Sequence, residues 1–221
     1  MDNKELSHQE SLALINTMIS KAKDSYHETG IGSMMWGVVI AICSIVRLVE
    51  VQLDKRLPFD IYLLALIAII PQVIMSVQKN KRRRAKTYDD AFTDPTWMGF
   101  GICIFLLILI INLIYKGYIP MYHEYVKLAG HEPSFNFHEF IMPLFLMLYG
   151  LPTFITGMGC RFRPMLIGGI ICWVSCIIAS FTEYRIDLLL TAFSAIAAWF
   201  IPGLLMEKEY RKYKKEKGAN V

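Results

Sequence analysis

Charge is scarce in this chain of 221 residues: only 19% are Asp, Glu, Lys or Arg, against 55% apolar, and the mean hydropathy is +0.41. That composition suits lipid better than water and argues against a single soluble core. The five cysteines include no CxxC pair, and all lie in or at the end of apolar runs, so neither a disulfide framework nor a thiol redox motif is indicated. Alternation with period two is missing, which excludes a β-barrel. No Walker loop, H-E-x-x-H, rhomboid-like Ser/His pattern or CDP-alcohol aspartate motif is present, so no catalytic residue, cofactor or metal site is assigned and the chain does not read as an enzyme. The first 32 residues carry Asp2, Glu5 and Glu10 and no early apolar run, and do not read as a cleavable signal peptide.

What is present is a series of long apolar runs. A spanning helix needs about 20 mainly apolar residues, and six stretches reach that length: 33 to 53, 59 to 77, 97 to 115, 140 to 159, 164 to 181 and 187 to 206. Asp94 with Pro95 is expected to open the third, and Arg163 with Pro164 the fifth, because a proline at the first helical position loses no hydrogen bond. The expected fold is all-α, a bundle of six transmembrane helices over 33–206, preceded by an amphipathic helix in 1–32 and followed by a basic tail, 207–221.

Six spans put both termini on one side. Seventeen of the 23 basic residues fall on that side, in the N-terminal segment, the QKNKRRRAK loop, the Arg161–Arg163 turn and the tail. Arg47, Lys55, Arg56, Lys116, Lys127 and Arg185 fall on the other. Basic residues stay cytoplasmic, which places both termini inside an inner membrane. The basic blocks adjoin the spans that need them, so they read as topology anchors that also attract anionic lipid rather than nucleic acid.

In the N-terminal segment Ser7 and Glu10 make a capping box, and Leu12, Ile15, Ile19, Ala22 and Tyr26 follow at spacings of 3, 4, 3 and 4 on one stripe. A helix lying flat at the inner membrane surface is the simpler way to cover this stripe; the inner loop region of its own bundle and another protein chain, through a short coiled-coil seam, are the alternatives, and Leu12, Ile15, Ile19 and Tyr26 are the candidate partner contacts.

Polar residues inside spans are the other pointers to function. Arg47 and Glu50, three apart on the first span, can pair near its outer end. Gln72, Asn112, Ser175 and Thr191 read as helix glue, and Cys172 with Cys176 as small packing residues. In the fourth span Pro152 removes a helical hydrogen bond near Leu148, which Thr153 or Thr156 is expected to offset. The resulting kink is where a transporter would place a site. Gly168 and Gly169 offer the fifth span a flat surface against the fourth. His123-Glu124, His131-Glu132 and His138-Glu139 carry metal-ligating side chains, but Gly130 and Pro133 break the helix needed to align them. Tyr118, Tyr122, Tyr125, Phe135 and Phe137 read more simply as an aromatic belt in an outer loop from Lys116 to Glu139.

The stretches ESLALINTMISKAKDSYHETG, SMMWGVVIAICS, YGLPTFITG, RPMLIGGIICW and AAWFIPGLLMEKEYRKYKK together resemble a family of uncharacterised small six-span inner-membrane proteins of Bacteroidota. The resemblance implies six spans in a bacterial inner membrane and brings no activity with it. The expected function is a non-enzymatic scaffold, sensor or accessory subunit working through a protein partner or a second copy of itself. The alternative is a small-molecule transporter or channel with its site at the fourth-span kink, and an intramembrane enzyme stands third.

Overall fold

The computed structural model describes residues 29–55, 57–82, 88–133 and 136–219. Among these the regular structure is helical, without a strand. The helices are α1 (Ile31–Leu53), α2 (Leu63–Arg82), α3 (Tyr88–Ala129), α4 (Ile141–Gly159), α5 (Arg163–Ala179), α6 (Tyr184–Ala195) and α7 (Ile201–Ala219). A 3-10 turn, Phe137–Phe140, leads into α4, and a π-helical segment, Ile196–Phe200, fuses α6 to α7. Four stretches are long and apolar enough to cross a membrane: Ile31–Leu53, Phe92–Ala129, Phe137–Gly159 and Tyr184–Lys215. Leu63–Gln78 and Arg163–Ala179 are shorter apolar helices. Each expected span falls on an apolar helix.

The chain runs up and down between two ends of opposite character. Arg161, Arg163, Lys208 and Arg211 mark a basic end; Asp54, Asp60, Glu139, Glu183 and Asp187 mark an acidic end. The core holds Ile40 and Ala41 from α1, Tyr149 from α4, Cys172 from α5, Ala192 and Ala195 from α6, and Ala198 and Trp199 from the π segment. Small residues let these backbones approach. A Cβ on Gly30 would lie 1.8 Å from the Gly203 carbonyl oxygen, and one on Gly157 would lie 2.3 Å from the Leu166 amide nitrogen. The expected α4–α5 hairpin is the most extensive pairing in the fold. Its two glycines divide: a Cβ on Gly169 would meet the Phe154 backbone of α4, whereas one on Gly168 would meet Ala198 of the π segment. The fifth helix thus touches both neighbours through adjacent glycines.

By contrast α2 and α3 lie at the periphery, α2 against α1 and α3 against α4. Leu66, Ile67 and Ile70 on α2 and Phe105 and Leu113 on α3 are all more than half exposed. Apolar surface of that extent on a helix is stable only where something other than water covers it.

The third helix departs most from its expected bounds. It begins at Tyr88, seven residues before Pro95, and continues through Pro120 to Ala129, where the outer loop was expected. Forty-two residues at 1.5 Å each make a rod of about 63 Å, twice the hydrocarbon thickness of a bilayer. Its stripe explains the extension. Ile104, Leu107, Ile111 and Tyr115 pack on the core clusters, and Tyr118, Tyr122 and Tyr125 continue at helical spacing. Tyr115 and Tyr118 meet Phe137 with ring centroids 6.0 and 6.4 Å apart. The helix ends where Gly130 adopts φ +75°, a conformation that favours glycine.

Candidate functional site

Three observations bear on the π segment. Its defining bond runs from the Ile201 amide to the Ile196 carbonyl, five residues back. Pro202, which follows, has no amide and its side chain is fully buried, so the regular ladder cannot resume unperturbed at that point. The Trp199 carbonyl meanwhile accepts a 2.8 Å hydrogen bond from Ser33 Oγ of α1. Such π segments often occur at functional positions.

The Trp199 side chain points into α4. Its Nε1 donates to Thr153 Oγ1 at 2.8 Å, and Thr153 Oγ1 donates to the Tyr149 carbonyl at 2.7 Å. One turn on, Trp97 Nε1 of α3 donates to Thr156 Oγ1 at 3.1 Å. The two threonines expected at the fourth-span kink therefore receive an indole each, from two different helices. Thr153 has one hydroxyl proton and gives it to Tyr149, one residue past the Leu148 carbonyl whose partner Pro152 lacks. The α4 helix continues through Pro152.

Around this knot the rings of Trp97, Phe100, Tyr149 and Trp199 lie with centroids 4.8 to 6.4 Å apart. Leu146, Pro152, Thr153 and Ala198 are fully buried and Trp199 is 3% exposed. The surroundings of Pro152 are thus filled by aromatic rings and aliphatic side chains. The hydroxyls of Thr153 and Thr156 on α4 are each occupied by an indole donor.

Arg47 and Glu50 form the ion pair at the acidic end, Nη1 to Oε2 at 2.9 Å. Glu50 is 8% exposed, and its other oxygen accepts the Leu57 amide at 2.8 Å. Its carbonyl also accepts the amides of Asp54 and Lys55, where the chain leaves α1 through a left-handed Asp54 at φ 50°. Glu50 therefore ties the α1–α2 turn to the helix from both its side chain and its backbone. This arrangement organises the acidic end, and it offers Arg47 no uncompensated charge for an anionic ligand.

Leu12, Ile15, Ile19 and Tyr26 lie outside the described residues, as does Phe135. Of the His-Glu pairs, His123-Glu124 sits on α3, His131-Glu132 follows Gly130, and His138-Glu139 falls in the 3-10 turn. His131 meets Tyr125 and His138 meets Tyr184 edge to face, with centroids 5.8 and 4.2 Å apart. Among the described residues no three His, Cys, Asp or Glu side chains are placed to hold a metal ion.

The sequence pattern does not single out Asp187. It opens the last apolar run, a position that reads as a polar boundary, yet it is 0% exposed. Oδ1 accepts from Thr182 Oγ1 at 2.7 Å, while Oδ2 is buried without a hydrogen-bond partner. Only the fold reveals this, because burial comes from the α5–α6 turn closing over the helix start. No protein-family model, curated protein or solved structure matches the chain.

Proposed function

We infer that the chain is a six-span integral protein of a bacterial inner membrane, with both termini cytoplasmic, which acts as a non-enzymatic scaffold, sensor or accessory subunit for a protein partner. The observation that carries this reading is the filled interior beside Pro152. A carrier needs a polar cavity reaching the bilayer midplane, and there Thr153, Thr156 and Trp199 are buried and, with half-buried Trp97, are bonded to one another. Short α2 and α5 complete the six spans, since an apolar helix of 16 or 17 residues lies near the lower limit for crossing. The basic residues at one end support the orientation. The resemblance to the Bacteroidota family supports the membrane assignment.

On this reading the working surface lies at the cytoplasmic face, where Leu12, Ile15, Ile19 and Tyr26 meet a partner and the basic loop and tail meet anionic headgroups. Crosslinking in native membranes followed by mass spectrometry tests it. A discrete protein crosslinked to residues 1–32 is expected; recovery of the chain alone, together with uptake of a solute by vesicles containing it, would favour the transporter instead.

A further inference from the structure

One amide on α3 is left half used by the chain itself. Asn112 reads from the sequence as a residue that bonds one helix to another. In the fold it is exposed, and its hydrogen bond, from Nδ2 to the Ile108 carbonyl at 2.7 Å, stays within α3. A side-chain amide carries two N–H donors and a carbonyl acceptor, so one N–H and Oδ1 have no partner among the described residues. Asn112 also lies inside an apolar run. No charged residue occurs between Asp94 and Lys116, and Asn112 stands four residues, about 6 Å, short of Lys116. Acyl chains neither donate nor accept hydrogen bonds, so a lipid neighbour leaves the amide unsatisfied.

We propose that α3 pairs with α3 of a second copy of this chain, through reciprocal hydrogen bonds between the two Asn112 side chains. Two features select a second copy over lipid or an unlike helix. The free donor and the free acceptor belong to one side chain, so two copies related by a two-fold axis along the membrane normal close both bonds together. Copies inserted the same way also hold this residue at the same depth, whereas an unlike helix must bring a polar residue of its own to that level. The flanking residues suit such a seam. Met98, Phe105, Asn112 and Ile119 follow one another at intervals of seven, with Ile102 and Leu109 between them, and the five apolar members are 47% to 67% exposed. A seven-residue repeat with a single polar member is a pattern by which paired helices fix their register. Ile104, Leu107 and Ile111 pack on the core instead. Asn112 lies about 100° round the helix from Ile111, so the pairing leaves α3 packed on its own bundle. The proposal rests on the membrane reading and is independent of the N-terminal stripe.

The test is photocrosslinking in intact membranes by the full chain carrying benzoylphenylalanine in place of Phe105, together with energy transfer between labelled copies in liposomes over a range of lipid dilution. A crosslinked product of twice the chain's mass is expected; crosslinks to lipid alone, or to a different protein, would overturn the proposal. In liposomes Asn112→Leu should weaken self-association about tenfold, with helix content unchanged because no bond to another helix of the chain is lost. Asn112→Gln, which keeps donor and acceptor, should retain it. Phe105→Ala should weaken it too, whereas Ile114→Ala, two residues on from Asn112 and so on the opposite side of the helix, should not. Equal association of the wild-type and Asn112→Leu chains would overturn the pairing. A membrane-bound monomer would defeat the pairing alone, and a chain recovered outside the membrane fraction would defeat the membrane reading with it.

Discussion

Trp199 Nε1 donates a 2.8 Å hydrogen bond to Thr153 Oγ1, joining the π segment of the last helices to the middle of α4. Both side chains are buried, so losing the acceptor leaves an indole N–H with no alternative partner. Thr153→Val keeps the volume and removes the acceptor. It should lower stability by about 1–2 kcal/mol, read as a fall in thermal unfolding temperature in detergent with a shift in tryptophan emission. Thr153→Ser should retain the bond and most of the stability. Equal stability of the valine and wild-type chains would show that the bond contributes nothing net.

Glu50 secures the α1–α2 turn through Arg47 and the Leu57 amide. Glu50→Ala should cost about 1–3 kcal/mol, because it leaves a partly buried guanidinium and an amide unpaired. Hydrogen exchange should show faster exchange at Leu57 and its neighbours, with the α4–α5 pairing unaffected. Unchanged protection at Leu57 would remove the turn-fastening role.

Close helix approach gives a contrasting pair of substitutions. A Cβ on Gly157 meets the Leu166 backbone at 2.3 Å, which cannot yield without separating α4 from α5, whereas one on Gly101 meets nothing within 4 Å. Gly157→Ala should destabilise by about 1–3 kcal/mol. Gly101→Ala should be neutral or stabilising by up to about 1 kcal/mol, through helix propensity alone. Thermal unfolding of the two variants side by side checks the order, and a reversed order would contradict the packing.

Much of the helical order is legible because a helix long and apolar enough to cross a membrane has a simple signature. Length and the absence of charge locate α1, α4 and the last helices, and the Arg163–Pro164 start of α5 follows from proline chemistry. Pro95 misleads for a physical reason. Proline marks a helix start only when nothing upstream is helical, and here the helix already begins at Tyr88. The tyrosines at 118, 122 and 125 carried the signal for the extension, since their spacing continues the packed stripe, but an aromatic belt accounts for the same residues. Thr153 and Thr156 were legible as important polar positions. Their indole partners were not, because nothing in the sequence places Trp97 and Trp199 opposite them. The burial of Asp187 likewise depends on how a turn folds over a helix start.

Topology gives an independent check of the membrane reading. On a background with the native cysteines replaced, a cysteine at Gly130 should be labelled by an impermeant reagent applied outside the cell, and one at Ala219 should not. The opposite pattern would invert the orientation.

The partner role itself turns on the stripe of Leu12, Ile15, Ile19 and Tyr26. Each such side chain contributes about 1.5–3 kcal/mol when buried, so charge placed there must weaken whatever covers it. The decisive measurement is recovery of co-purifying proteins from native membranes by the Ile15→Asp, Ile19→Asp double variant, with its thermal stability recorded beside the wild-type chain. Loss of the co-purifying protein at unchanged stability is the outcome expected of a partner-binding scaffold. Lower stability with the same proteins recovered would mean that the stripe docks on its own bundle, and would contradict the account.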